Sequence, residues 1–352
     1  MRLAQIRSTP ASRAGRRQFF LQLGGLVGGA VLAVRQPARG EAQERRYTAG
    51  FANLTEEPGV TLEATGFTGR EVRESFVLAA RRFPIDLVFY DNQRNDARAL
   101  ANAEDAIARK VGLYVLYHRG GATCAAIGEK LRSAGIPLLT INTPVPGAPL
   151  YFLDNVAAGR VAGAALGEFA VRHWRTQPKL AVAIGPLGDQ SDGVPDRVRG
   201  VVEGLRRHVA TVRLLSLDTQ GNIAQVAPLL GKLLAGQPGA KVLVAATDDA
   251  TALAAKSALE AAGRASDAAI VSHGADRSIH GGINDKREID PGNRGSIVLG
   301  SVAFYLDRMG YDVLPLAMRM LRGEPVPART ATQHKLITAA NVFLEYPPYD
   351  MN

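Results

Sequence analysis

Hydrogen-bonding side chains gather just after apolar, strand-like runs along the chain. The clusters are Asn53-Leu54-Thr55-Glu56, Asp91-Asn92-Gln93, Tyr117-His118-Arg119, Asn142-Thr143, the stretch from Asp189 to Asp196, Thr247-Asp248-Asp249 and His273-Gly274-Ala275-Asp276. Neutral amides and hydroxyls with a few carboxylates and an arginine suit a small polyhydroxylated molecule, because each hydroxyl both donates and accepts a hydrogen bond. Competing chemistries are less well served. His118 and His273 stand far apart with no cysteine or further histidine to complete a zinc set. Asp248 and Asp249 have the composition of an acid/base pair, but adjacent acids at a strand-to-helix junction more often cap the helix and complement its dipole. The chain has no GxSxG serine elbow, and no GxGxxG follows a strand. The single cysteine, Cys124, rules out a disulfide within the chain and fits a small buried hydrophobe at a helix start. No metal or cofactor is expected.

Positioning such clusters requires strands that all end on one side. From residue 46 the hydrophobic period switches repeatedly between 2 and 3.6, the mark of alternating strands and helices. Strands are expected at 47–53, 85–90, 111–117 and 137–141, with helices near 69–82, 94–109 and 122–134. Runs such as 85–90 are almost continuously apolar, as in a parallel sheet covered by helices on both faces. The stretch 150–165 divides the chain: a short β-like run is followed by Asp154-Asn155, which can start a helix, and then by small residues. A second series follows, with helices at 156–174, 195–208, 223–234 and 249–262 between strands at 179–184, 212–217, 241–245 and 268–272. Gly and Pro cluster at 186–195 and 281–295. A strand at 296–304, a helix at 311–321 and a strand near 334–338 remain, and they have to pack on something. The simplest arrangement has the chain cross between two lobes three times, forming a hinge. In open parallel sheets ligands bind beyond the carboxyl ends of the strands, so the polar clusters would face the gap between the lobes.

A chain of 352 residues with 46% hydrophobic and 21% charged residues can form two domains without disulfides or metals. The net charge of +9 is concentrated at the start, where residues 1–42 hold seven arginines against one acid, Glu41, leaving only +3 for the remainder. No basic stripe with interleaved aromatics is present, so nucleic acid is not an expected partner. Arg16-Arg17-Gln18-Phe19-Phe20, an apolar run ending near Val34, and small residues around Ala42 resemble a twin-arginine export signal. That run is shorter than the roughly 20 residues needed to span a bilayer.

Several segments in this order resemble the periplasmic sugar-binding proteins of the ribose/galactose type, the solute receptors of ABC transporters: 138–143 (LLTINT), 153–159 (LDNVAAG), 196–200 (DRVRG) and 245–249 (AATDD). The tail adds 302–305 (VAFY), 321–327 (LRGEPVP) and 337–342 (ITAANV). The resemblance covers nearly the whole chain after the leader. It implies an α/β fold of two Rossmann-like lobes with parallel sheets joined by a three-strand hinge. An export signal over 1–42 would precede a first lobe of 43–155 plus about 303–328 and a second lobe of 156–302 plus about 329–352. Arg197 matches the family arginine that grips sugar hydroxyls. Thr247 stands where the family often has Asn, with Asp248 beside it, and Asn142-Thr143 replaces an Asp-Arg pair. Gly274 replaces a family Asp, leaving His273 or Asp276 to take that task, and Ser301 replaces a frequent Gln. Phe51 and Tyr117 are candidate stacking rings, with Phe304 and Tyr305 at the third crossing, and Asn53 completes the first-lobe strand ends.

The function that follows is a non-enzymatic, exported receptor in the periplasm, expected to be a monomer. It would capture a sugar or polyol between its lobes and deliver it to an ABC transporter permease in the inner membrane. The alternatives are a sensor feeding a signalling system or, less well supported, a secreted enzyme acting on carbohydrate through Asp248, Asp249 or His273.

Overall fold

Apolar runs without polar interruption become the central strands, and the polar clusters become the loops at their ends. The computed structural model describes residues 46–175, 179–188, 193–281 and 285–347. The export signal expected over 1–42, and residues 189–192 of the cluster from Asp189 to Asp196, lie outside the described residues.

The first lobe runs through β1 (Tyr47–Asn53), α1 (Gly69–Ala80), β2 (Ile85–Asp91), α2 (Asp96–Ala108), β3 (Leu113–Tyr117), α3 (Gly121–Ser133), β4 (Leu138–Ile141) and β5 (Leu150–Phe152). The chain then crosses into α4 (Asn155–His173), β6 (Lys179–Gly185), α5 (Val194–Arg206), β7 (Leu214–Asp218), α6 (Val226–Ala235), β8 (Lys241–Ala246), α7 (Asp249–Ala261), β9 (Ala268–Gly274) and β10 (Val298–Ala303). Last come α8 (Met309–Leu321), β11 (Arg329–Ala331), β12 (Leu336–Ile337) and the single-turn α9 (Val342–Glu345). The first sheet has the order β11-β5-β4-β3-β1-β2 and the second β12-β10-β9-β8-β6-β7. Within them only the β10–β12 pairing is antiparallel among the described residues. Two six-stranded, mostly parallel sheets, each with its own helices, are the fold the sequence indicated.

The chain crosses between the sheets after β5, after β10 and after β11. Helix α8 belongs with the first lobe, where the Gly310 N–H donates to Ser75 Oγ on α1 at 2.9 Å. Arg329–Ala331, expected in the second lobe, pairs instead with β5 in the first sheet, so the last crossing falls after Ala331. Three residues at a sheet edge are too few for a periodicity that would reveal this. The crossings are tied together: Thr332 Oγ1 donates to the Tyr151 hydroxyl at 3.1 Å, Tyr151 donates to Asp312 at 2.9 Å, and His334 Nδ1 lies 2.9 Å from the Ala303 carbonyl.

Helix starts follow the sequence signals. Thr68 and Glu71 form a reciprocal capping box on α1. Asp154 caps α4 by accepting from the Ala157 N–H at 2.9 Å, and Asp248 caps α7 by accepting from the Thr251 N–H at 2.8 Å. Helices α4 and α5 meet backbone to backbone at small residues. A Cβ added to Gly159 would fall 1.9 Å from the Arg197 carbonyl oxygen, and one on Gly200 would fall 2.1 Å from that of Val156. This contact sets Arg197, in the first turn of α5, beside Asn155 at the start of α4.

Candidate functional site

Arg197 is 1% exposed and uses its five N–H donors fully. Nε and Nη2 donate to Asn155 Oδ1 at 3.2 and 3.0 Å, and Nη1 donates to the Thr247 carbonyl, all within the second lobe. Two more bonds cross to the first lobe, from Nη2 to the Glu63 carbonyl at 2.9 Å and from Nη1 to the Ala64 carbonyl at 3.1 Å. The guanidinium carbon sits 4.4 Å from the ring centroid of Phe304, which follows β10 and so stands on the second crossing rather than the expected third. One side chain thus touches both lobes and the hinge.

The groups it reaches in the first lobe belong to the connection between β1 and α1. That connection spans residues 54–68, fifteen residues, whereas those from β3 to α3 and from β8 to α7 have three and two. Its base is fixed by buried Leu62 and Phe67 and by a bridge between Thr61 and Thr68. Its tip, 63–66, enters the space between the strand ends of the two lobes. The Glu63 carboxylate, on a residue 5% exposed, turns back to the first lobe and accepts from the Tyr117 hydroxyl and from Asn142 Nδ2 at 2.8 Å, with Arg119 Nη2 3.6 Å away. On the other side a Cβ added to Gly66 would lie 2.0 Å from Asp276 Oδ2 of the second lobe. Beside the tip a cavity of about 450 Å³ opens between the lobes, bordered by Thr65, Thr219, Asp248, Thr251, Asp276 and Arg277.

The predicted residues divide into those around this tip and those inside the lobes. Arg197, Tyr117 and Asn142 bond the tip, Thr247 reaches it only through Arg197, from which its carbonyl accepts, and Asp248 and Asp276 line the cavity. Phe51 does not reach the cleft: its ring stacks on Phe76 at 3.9 Å in the first-lobe core, because its strand is covered on both faces and this position points at α1. Asn53 is buried and donates to the Gly69 carbonyl at 2.7 Å, securing the entrance to α1. Thr143 donates to the His118 carbonyl at 2.6 Å. Ser301 lies within the second lobe, donating to Asp249 and accepting from the Ala275 N–H at 2.8 Å. Tyr117 offers a hydroxyl rather than a ring face, since its ring is buried in the core. Phe304 is likewise buried, against Arg197 and His334.

His273 is 1% exposed, with Nδ1 2.8 Å from the Ala246 carbonyl, which assigns the proton to that nitrogen, and Nε2 buried without a partner. Burial, and then the charge of Arg197, hold this imidazole well below the usual histidine range. Asp249 accepts from the Ser272 and Ser301 hydroxyls and from the Asp276 N–H at 2.8 Å. Its full burial and the nearby Asp276 push its pKa well up. It supports the loop that presents Asp276. The Cys124 thiol is buried at the start of α3, and its pKa is pushed up to about 11 by burial, which makes it a poor nucleophile. No group of three or more His, Cys, Asp or Glu that could hold a metal ion occurs among the described residues.

Glu63 and Asn155 were not singled out from the sequence as site residues, and Arg119 was named only within the strand-end cluster Tyr117-His118-Arg119. Asn155 was visible as half of a helix-starting pair and within the family-like segment 153–159, without a role assigned, and the signal for Glu63 was the unusual length of the connection that carries it.

The chain matches the periplasmic binding protein domain over residues 59–325. It is similar to the ribose import binding protein RbsB of Escherichia coli, with 24% identity over 264 residues that cover 73% of this chain and 82% of that protein. Among solved structures it resembles GanP, a glucose-galactose binding protein from Geobacillus stearothermophilus, with a TM-score of 0.60, 20% identity, and coverage of 85% of this chain and 99% of that one. It also resembles the sugar-binding protein of a sugar ABC transporter from Bacillus halodurans, with a TM-score of 0.66, 16% identity, and coverage of 86% and 100%. The two sheets, the three crossings and the match over most of its length place this chain in the periplasmic binding protein family.

Proposed function

We propose that the protein is the solute-binding receptor of an ABC transporter. It takes a small polyhydroxylated solute of the sugar class between its lobes, and its closed form is recognised by a membrane permease. The observation that carries this reading is Arg197, a buried fork of donors at the second-lobe strand ends with two of its bonds directed across the cleft. Asn142 and the Tyr117 hydroxyl face it from the first lobe, and Asp248, Thr251 and Asp276 add acceptors and hydroxyls along the adjoining cavity. These are groups that exchange hydrogen bonds with solute hydroxyls and need transfer no proton. Closure follows from a higher affinity of the solute for the closed arrangement, which shifts the hinge equilibrium. The proposed location is the periplasm and the proposed state a monomer.

The test is a thermal-shift screen of residues 43–352 against pentoses, hexoses, polyols and sugar acids, with each hit assayed for chemical conversion. A ligand at about 100 times its dissociation constant adds about 2.7 kcal/mol and raises the midpoint by several degrees. A shift with the compound intact is the expected result. A shift with the compound consumed would make the protein an enzyme, and no shift across the panel would defeat the sugar reading.

A further inference from the structure

The tip at 63–66 presents to each lobe the kind of group that a solute would. Toward the second lobe it offers two carbonyl oxygens, which occupy two donors of Arg197. Toward the first lobe it offers a carboxylate, held by a phenol, an amide and a guanidinium from residues just after or at the ends of β3 and β4. A carboxylate on a side chain 7% exposed is tolerated only where such donors receive it. Asn142 fits this purpose: its Oδ1 accepts from the Leu153 N–H at 2.9 Å while its Nδ2 donates to Glu63, a bond that an aspartate at this position would replace with repulsion. The donors on this side therefore form a receptor for a negative charge.

The tip is also built so that it can leave. Glu63 and Ala64 are consecutive non-glycine residues in the left-handed region, with φ of 56° and 46°, a conformation disfavoured for L side chains that persists only while surrounding contacts enforce it. The base at Leu62 and Phe67 is anchored in the first-lobe core, so the tip can swing without disturbing β1 or α1.

We infer that the tip is an internal stand-in for the solute, that Glu63 marks a carboxylate subsite formed by Tyr117, Asn142 and Arg119, and that the natural solute is an acidic polyol, a sugar acid, which displaces the tip when it binds. This rests on the solute-receptor reading and narrows it. An incoming carboxylate takes the three first-lobe donors, and the solute hydroxyls take the Arg197 donors vacated by the loop carbonyls. The loop thereby discriminates against neutral sugars, which cannot replace the charge that Glu63 supplies.

The experiment uses the chain from residue 43 onward, with D-galacturonate and D-gluconate as probes beside D-galactose and D-glucose. Affinities come from calorimetry, and hydrogen–deuterium exchange is followed in peptides covering 60–68. Leu62 and Thr65 donate to the Phe67 and Leu62 carbonyls there and report whether the tip is seated. The expected result is that an acid binds at least tenfold more tightly than its neutral counterpart and accelerates exchange in this segment. Glu63→Gln, which weakens the internal competitor, should tighten acid binding by about tenfold. Equal or tighter binding of the neutral sugar, slowed or unchanged exchange with the acid bound, or a Glu63→Gln variant with unaltered acid affinity would each overturn the inference. A neutral sugar bound with the tip still protected would do so while leaving the receptor reading standing. Binding of none of the four probes would count against both.

Discussion

At the scale of single residues, Arg197 and Glu63 face each other across the cleft with opposite charge, yet they meet through the Glu63 main chain while the carboxylate points away. Loss of the arginine therefore acts on several buried acceptors at once. Arg197→Ala strands Asn155 Oδ1 and the Thr247 carbonyl, and a lost charge-assisted bond of this kind costs about 1.5–3 kcal/mol. We expect ligand binding to weaken by at least tenfold, read by calorimetry. Arg197→Lys should recover only part of that loss, since an ammonium cannot reproduce the planar fork. Wild-type affinity in Arg197→Ala would remove this residue from the site. Arg197 was legible in the sequence because its neighbours, Asp196-Arg197-Val198-Arg199-Gly200, carry a family pattern. Glu63 sits in no such pattern, and nothing local distinguishes an acid that folds inward from one that stays in solvent. Phe51 failed for a related reason: a strand buried on both faces lacks the alternation that would tell which side a ring takes.

At the scale of elements, the α4–α5 contact holds the arginine in place, and it depends on the absence of side chains. Gly159→Ala places a Cβ against the Arg197 carbonyl, at a distance that only separation of the helices relieves. Overpacking of this kind costs about 1–3 kcal/mol. The denaturation midpoint should fall by a few degrees, and ligand affinity should fall with it because the start of α5 moves; an unchanged midpoint would contradict the close approach. The rim of the second sheet makes a separate prediction about pH. Burial depresses His273, His280 and His334, so the unfolded chain protonates first, and stability that is present above about pH 6.5 is lost as the pH falls. Asp307, beyond β10, works in the opposite direction. Burial, only partly offset by Arg308 and Arg277 and reinforced by Glu71, pushes its carboxyl up to about 6, so its contribution is complete below about pH 4 and is lost as the pH rises through 6. Asp249, whose pKa burial and Asp276 also push up, acts in the same direction as Asp307, and three histidines at up to about 1.4 kcal/mol per pH unit each outweigh these two carboxyls. Urea denaturation should show stability falling from pH 7 to pH 5, and Asp307→Asn should steepen that fall. A flat profile in both proteins would refute the assignment.

At the scale of the whole molecule, the order of strands and helices was legible because each run is long enough to show its period, and the two-lobed plan followed from the order. The site was legible only as a region, since strand ends locate a cleft but do not say what stands in it. Here a fifteen-residue connection stands in it, joining the lobes through its carbonyls and through the close approach of Gly66 to Asp276. If the lobes must part at this contact to admit a solute, fixing the contact should abolish uptake. A Cβ on Gly66 would lie 2.4 Å from the Asp276 Cγ, so the Cβ atoms of cysteines at both positions would stand no farther apart than the separation of about 3.5–4.5 Å that a disulfide spans. Cys124, buried and with its thiol pKa raised to about 11, should not compete for the bond. The Gly66→Cys/Asp276→Cys double variant, oxidised, should show no thermal shift with ligands that stabilise the wild type, and reduction should restore the response. An oxidised variant that binds as well as its reduced form would mean that solute enters without parting the lobes here, and the hinge would then have to open about some other contact.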